Sequence, residues 1–85
     1  MANVDIYTSK TCPYCIKAKK LLDSKGVTYR ELYADERPEL AEEAVQRSGG
    51  KKTVPQIFIG DYHVGGCDEL YALEREGRLD PMLET

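Results

Sequence analysis

Two cysteines three residues apart, the first followed directly by proline, constrain this chain more than any other feature. Cys12-Pro13-Tyr14-Cys15 lies between a stretch that reads as a strand, Asn3 to Tyr7, and one with helical periodicity, about Pro13 to Lys25. Proline is welcome at the first helical position, where its missing N–H costs nothing. That places Cys12 at the N-cap, at a junction of strand and helix. Unpaired backbone N–H groups at such a junction stabilise an anion. The reactive thiolate form of Cys12 is therefore favoured, with Lys10, Lys17 and Lys19 adding positive potential nearby. Cys15 follows within the first turn on a neighbouring part of the same face, close enough for a disulfide.

The rest of the chain alternates strand and helix. Val4 and Ile6 share one face of the first strand, and Asp5 and Tyr7 share the other, an awkward position for a carboxylate if that strand is central. In the first helix Cys15, Ala18, Leu21 and Leu22 recur on one side, Lys17, Lys20 and Asp23 turn outward, and Gly26 suits the C′ position. Thr28 to Tyr33 is rich in β-formers, so strand, helix and strand make one βαβ unit. A second helix is expected from Pro38 to Ser48 on Leu40, Ala41, Ala44 and Val45, stopped by Gly49-Gly50. Its acidic residues read as a solvated face. Gln56 to Ile59, Gly60-Asp61 and Tyr62 to Val64 read as a hairpin with a two-residue turn. A last helix starts near Cys67, ends at Gly77 and packs through Leu70 and Leu73. The order βαβ-α-ββα predicts an α/β fold: a four-stranded mixed sheet flanked by three helices.

Composition narrows the functional classes. Eighty-five residues are expected to form one domain, residues 1–85. Twelve Lys and Arg against fifteen Asp and Glu give a net charge of −3, which weighs against nucleic-acid binding. The longest apolar run, Leu70-Tyr71-Ala72-Leu73, is far too short for a membrane span, and Met1 to Asp5 carry no secretory signal pattern. Three cysteines, Cys12, Cys15 and Cys67, leave an odd thiol and favour a reducing, cytoplasmic setting. There, a CxxC on a βαβ pattern reads as a redox pair. Two other readings stand beside it: a zinc site from Cys12, Cys15, His63 and Cys67, and two inert buried thiols. His63, the only histidine, is expected on a hairpin strand facing solvent.

Tyr7-Thr8 ahead of Cys12-Pro13-Tyr14-Cys15, then Thr53-Val54-Pro55, then Gly65-Gly66-Cys67-Asp68 resemble the dithiol glutaredoxins, and among them the small bacterial glutaredoxin 3 type. The resemblance covers nearly the whole chain. It implies a thioredoxin fold and a glutathione-dependent thiol–disulfide oxidoreductase that reduces protein–glutathione mixed disulfides and protein disulfides. By the same resemblance Cys12 is the nucleophile and Cys15 the resolving thiol. Val54-Pro55 resembles the family's cis-proline bond, with Thr53 and Val54 against the cysteinyl part of glutathione. Gly65-Gly66 and the following helix start resemble the corner that holds the γ-glutamyl end. Gly66, Cys67 and Asp68 then offer backbone N–H groups and a carboxylate, although Asp68 is equally a helix cap. Tyr14 flanks the bound tripeptide or simply covers the helix start.

The family commonly has a lysine three positions before the first cysteine, where this chain has Ser9. Lys10 stands one place later, with Lys51, Lys52 and Arg47 as other candidates for the glycyl carboxylate. Cys67 reads as a small half-buried hydrophobe or as a third reactive thiol. Glutathione is expected as the electron donor, with no bound cofactor, no metal, and glutathionylated or disulfide-bearing proteins as partners of a monomer. Relatives that hold an iron–sulfur cluster between two chains give the alternative; they usually lack a proline at the position of Pro13.

Overall fold

A computed structural model describes residues 3–84. Its elements are β1 (Val4–Thr8), α1 (Pro13–Ser24), β2 (Tyr29–Tyr33), α2 (Pro38–Arg47), β3 (Gln56–Ile59), β4 (Tyr62–Gly65), α3 (Cys67–Arg75) and α4 (Leu79–Leu83). The sheet order is β2-β1-β3-β4, with β1 parallel to β2 and antiparallel to β3, and β4 antiparallel to β3. This is the expected mixed sheet, with element ends within a residue or two of the expected ones.

The fourth helix is an addition to the expected three. Pro81 is the third residue of α4, in the first turn, where its missing N–H has no intrahelical partner to lose. Leu79 and Leu83, four residues apart, are both buried by this short turn.

Alternate residues of the strands build two different layers. Val4, Ile6, Ile57 and Ile59 meet Ala18, Leu21 and Leu22 of α1, Leu70 and Leu73 of α3, and the α4 leucines in one apolar core. On the other side Tyr7 and Phe58 pack with Ala44 of α2, and Leu32 lies against them. The rings of Tyr7 and Phe58 meet edge to face at 5.8 Å, a favoured aromatic geometry. Of the four residues expected on the apolar side of α2, only Ala44 is fully buried; Leu40, Ala41 and Val45 are half-covered.

Asp5 does lie on an interior strand. Arg30 holds it through Nε and Nη2, each at 3.1 Å, and Arg47 through Nη1 at 3.1 Å. Burial raises the Asp5 carboxyl, but the hydrogen bonds and charges of Arg30 and Arg47 outweigh it and hold the group below the usual carboxylate range. Arg47 also donates to the Tyr7 hydroxyl at 2.9 Å and lies 4.1 Å from the Phe58 ring centroid. The Tyr7 hydroxyl in turn donates to Glu43. Glu43 itself remains exposed on α2, as expected of that face.

Candidate active site

The site begins where β1 gives way to α1. Cys12 is the N-cap in extended conformation, Pro13 occupies the first helical position, and Ile16 N–H donates to the Cys12 carbonyl at 3.2 Å. Cys15 is the third helical residue, on the face that packs into the protein, and is fully buried. Cys12 is half-buried, with Sγ 3.8 Å from the Val54 carbonyl oxygen. All three thiols are free. Burial pushes the Cys15 thiol up, and Cys67 likewise. A raised thiol is less ionised at neutral pH and so a poorer nucleophile. Cys12 and Cys67 both stand at a helix start, but of the three thiols only Cys12 is not buried.

Val54 belongs to a loop that joins α2 to β3, and the Val54-Pro55 bond is cis, as the resemblance implied. This loop and the start of α3 enclose a cleft of about 430 Å³. Its wall brings together Tyr14, Thr53, Val54, Pro55, Gly66, Cys67 and Asp68, so seven of the ten residues singled out in the sequence meet there. Cys12 lies beside the cleft through its contact with Val54. Tyr14 is 61% exposed, which leaves its ring available to a ligand at the rim.

Lys10 is placed elsewhere. Its Nζ pairs with Glu36 at 2.7 Å, outside the residues that line the cleft. The cation on the cleft wall is Lys51. Lys52 lines an adjoining recess of about 290 Å³ on the far side of Thr53 and Val54, and Arg47 is held on the sheet by Asp5, Tyr7 and Phe58. The Gly66 N–H, expected to face an anion, is taken by Glu69 Oε1 at 2.7 Å. The N–H groups of Cys67 and Asp68, in the first turn of α3, have no intrahelical partner and can face a bound anion. A Cβ on Gly66 would approach Glu69 Oε1 to 3.2 Å and the Pro55 carbonyl to 3.4 Å, so the chain runs close to the loop at this point.

Four cleft residues carried no glutathione-site expectation from the sequence: Gln56, His63, Val64 and Glu69. Gln56 opens an otherwise apolar strand, and that lone polar residue was the available signal. His63 departs from its expected place in solvent. The two-residue turn at Gly60-Asp61 sets His63 opposite Phe58, and the pairing becomes irregular only beyond that pair, where Ile57 meets Gly65. The imidazole is half-buried there, stacked on the Phe58 ring at 4.8 Å and bonded to Gln56 at 2.7 Å. Among the described residues no three His, Cys, Asp or Glu side chains are grouped so as to hold a metal ion, and His63 of the zinc candidates is turned to Gln56.

Comparison with known proteins places this geometry. The glutaredoxin family model matches residues 4–64. Glutaredoxin 3 of Escherichia coli is 58% identical over 84 residues, covering 99% of this chain and 100% of the relative. The solution structure of glutaredoxin from Brucella melitensis is 56% identical, with a TM-score of 0.86, over 100% of this chain and 91% of that one. A crystal structure of a buckwheat glutaredoxin–glutathione complex superposes with a TM-score of 0.88 at 34% identity, covering 98% of this chain and 77% of that one. With a cysteine pair at a helix start beside a proline loop, on a thioredoxin fold matched over its whole length, the chain belongs to the glutaredoxin family of glutathione-dependent thiol–disulfide oxidoreductases.

Proposed function

We propose that Cys12 is the nucleophile and Cys15 the resolving thiol, and that glutathione lies in the cleft between the Thr53–Pro55 loop and the start of α3. One observation carries the reading: Cys12 Sγ lies 3.8 Å from the Val54 carbonyl, at the edge of that cleft. A tripeptide paired in extended form with the Val54 backbone carries its own sulfur to the Cys12 thiolate. Such pre-alignment is the main non-chemical contribution to the rate.

The Cys12 thiolate attacks the glutathione sulfur of a mixed disulfide. The old S–S bond breaks, the substrate leaves as a thiolate that takes up a proton, and a Cys12–glutathione disulfide forms. A second glutathione thiolate attacks the bound glutathione sulfur, releasing Cys12 and one molecule of glutathione disulfide. The net exchange consumes one reduced glutathione: the mixed disulfide and glutathione give the free substrate thiol and glutathione disulfide. For a protein disulfide, Cys12 forms the mixed disulfide with the protein and Cys15 displaces it, leaving a Cys12–Cys15 disulfide for glutathione to reduce. The poor ionisation of buried Cys15 suits it to this later, intramolecular step.

The Cys67 and Asp68 N–H groups receive the γ-glutamyl carboxylate, and the Asp68 carboxylate pairs with the neighbouring amino group. Lys51 takes the glycyl carboxylate; Lys10 does so only by leaving Glu36. Thr53 and Tyr14 flank the ligand. The printed description of the buckwheat relative as a glutathione complex supports this occupant. In this reading the protein is a monomer that acts on glutathionylated and disulfide-bearing proteins in the cytoplasm.

The test is turnover of a small glutathione mixed disulfide, coupled to glutathione and its reductase, for wild type beside Cys12→Ser and Cys15→Ser. Loss of activity in the first with retention in the second is expected. Equal loss in both sinks the division of labour between the thiols.

A further inference from the structure

The cleft loop is tied to the sheet by a chain of side chains that the sulfur chemistry does not itself use. Gln56 is 4% exposed, and its Nε2 lies 3.0 Å from the Thr53 carbonyl and 3.3 Å from the Thr53 hydroxyl. A carbonyl oxygen only accepts, so the amide nitrogen of Gln56 must face Thr53 and its Oε1 must face His63. The His63 Nε2, 2.7 Å from that Oε1, must then carry the proton. Stacking on Phe58 fixes the ring plane of His63, so a rigid sheet residue sets the direction of the last donor. His63, Gln56 and Thr53 form one directional series that ends one residue before Val54.

We infer that Gln56 and His63 are positioning residues for glutathione: through Thr53 they fix the loop against which the tripeptide pairs and from which its sulfur meets Cys12. This rests on the placement of glutathione along Val54 proposed above. Both ends of the Gln56 amide are occupied by protein partners, so it acts through Thr53. Cys12 itself is held by α1 and is not part of the series. Loosening the loop therefore weakens binding of the mixed disulfide and leaves the intrinsic reactivity of the Cys12 thiol in place.

The experiment measures KM and kcat for a small glutathione mixed disulfide, the rate of Cys12 alkylation by iodoacetamide, and thermal stability. Gln56→Leu removes both links. Gln56→Glu keeps the acceptor for His63 and replaces the donor to the Thr53 carbonyl by a carboxylate oxygen. Both are expected to raise KM about tenfold, the effect of one lost, well-placed hydrogen bond, with kcat and alkylation changed by less than about twofold. His63→Ala is expected to raise KM about threefold. His63→Gln, whose Nε2 can donate as the ring nitrogen does, is expected to restore most of that. Variants that melt earlier while keeping the wild-type KM, or a His63→Gln no better than His63→Ala, overturn the inference alone. A wild type whose turnover does not saturate with the mixed disulfide removes the proposed binding mode and this inference with it.

Discussion

The two faces of the sheet are made from alternate residues of the same strands, yet they are held together by different physics. Val4, Ile6, Ile57 and Ile59 face α1, α3 and α4 through hydrocarbon alone. Asp5, Tyr7, Gln56 and His63 surround Phe58 on the other side and are joined by directional bonds to Arg47, Glu43 and Thr53. Among the described residues no buried side-chain nitrogen or oxygen lacks a partner. Hydrocarbon contacts give much stability and little orientation, because they are non-directional. Hydrogen bonds give less net stability but fix angles, and leaving one unmade is costly. The polar face is the one that continues into the cleft, through Gln56 and His63. The difference teaches a division: one face keeps the protein folded, and the other holds the site in register.

The largest effect that tests this division is on the apolar face. Ile6 is fully buried between the sheet and α1, and Ile6→Ala is expected to cost about 3 kcal/mol of stability in urea denaturation. Its KM for a glutathione mixed disulfide, measured where the variant is folded, should match wild type. A KM raised as far as in the Gln56 variants breaks the comparison.

A smaller loss is expected across the sheet. Arg47→Leu deletes the bonds to Asp5 and Tyr7 and the stack on Phe58, and leaves Asp5 with Arg30 alone. The pair is partly open to water, so about 1–2 kcal/mol is expected. A cost equal to that of Ile6→Ala would mean that the polar layer carries the fold as much as the core does.

The same contrast explains what could be read from the sequence. Periodicity exposed the apolar face: Val4 and Ile6 alternate, and Cys15, Ala18, Leu21 and Leu22 follow a helical spacing. From these the positions of the strands and helices follow, and Pro13 places Cys12 at a helix start. The contacts of the polar face lie between residues far apart in the chain, such as Asp5 with Arg47 and Tyr7 with Glu43. No local pattern encodes them, so nothing in the sequence pairs Glu43 with Tyr7, and His63 reads as facing solvent. His63 departs from solvent because the groups that cover and hold its ring, Phe58 and Gln56, lie on the neighbouring strand. The partner of Lys10 was hidden for a related reason. Proximity to Cys12 along the chain says nothing of the carboxylate across the loop, Glu36, that claims it. The short α4 escaped notice because Pro81 argues against a helix until its place in the first turn is known.

The smallest expected effect sharpens the comparison by its dependence on pH. The Asp5 carboxyl is held below the usual range in the folded protein, because the two arginines outweigh its burial. A carboxyl depressed by folding contributes its stability in full above its unfolded value, about 3.9, and loses it as pH falls through the lower folded value. Asp5→Asn has no charge to lose, so it is expected to be less stable than wild type by on the order of 1 kcal/mol near neutrality. Below about pH 4 the gap should close, because wild-type Asp5 then becomes neutral as well. Other carboxylates titrate over the same range, but they do so in both proteins, and the difference between the two denaturation curves isolates Asp5. The apolar face has no titrating group in this range, so the gap between Ile6→Ala and wild type should stay level over the same pH interval. A gap for Asp5→Asn that also stays level would mean that the arginines hold Asp5 by shape alone. The charge pairing assigned to the polar face would then be wrong.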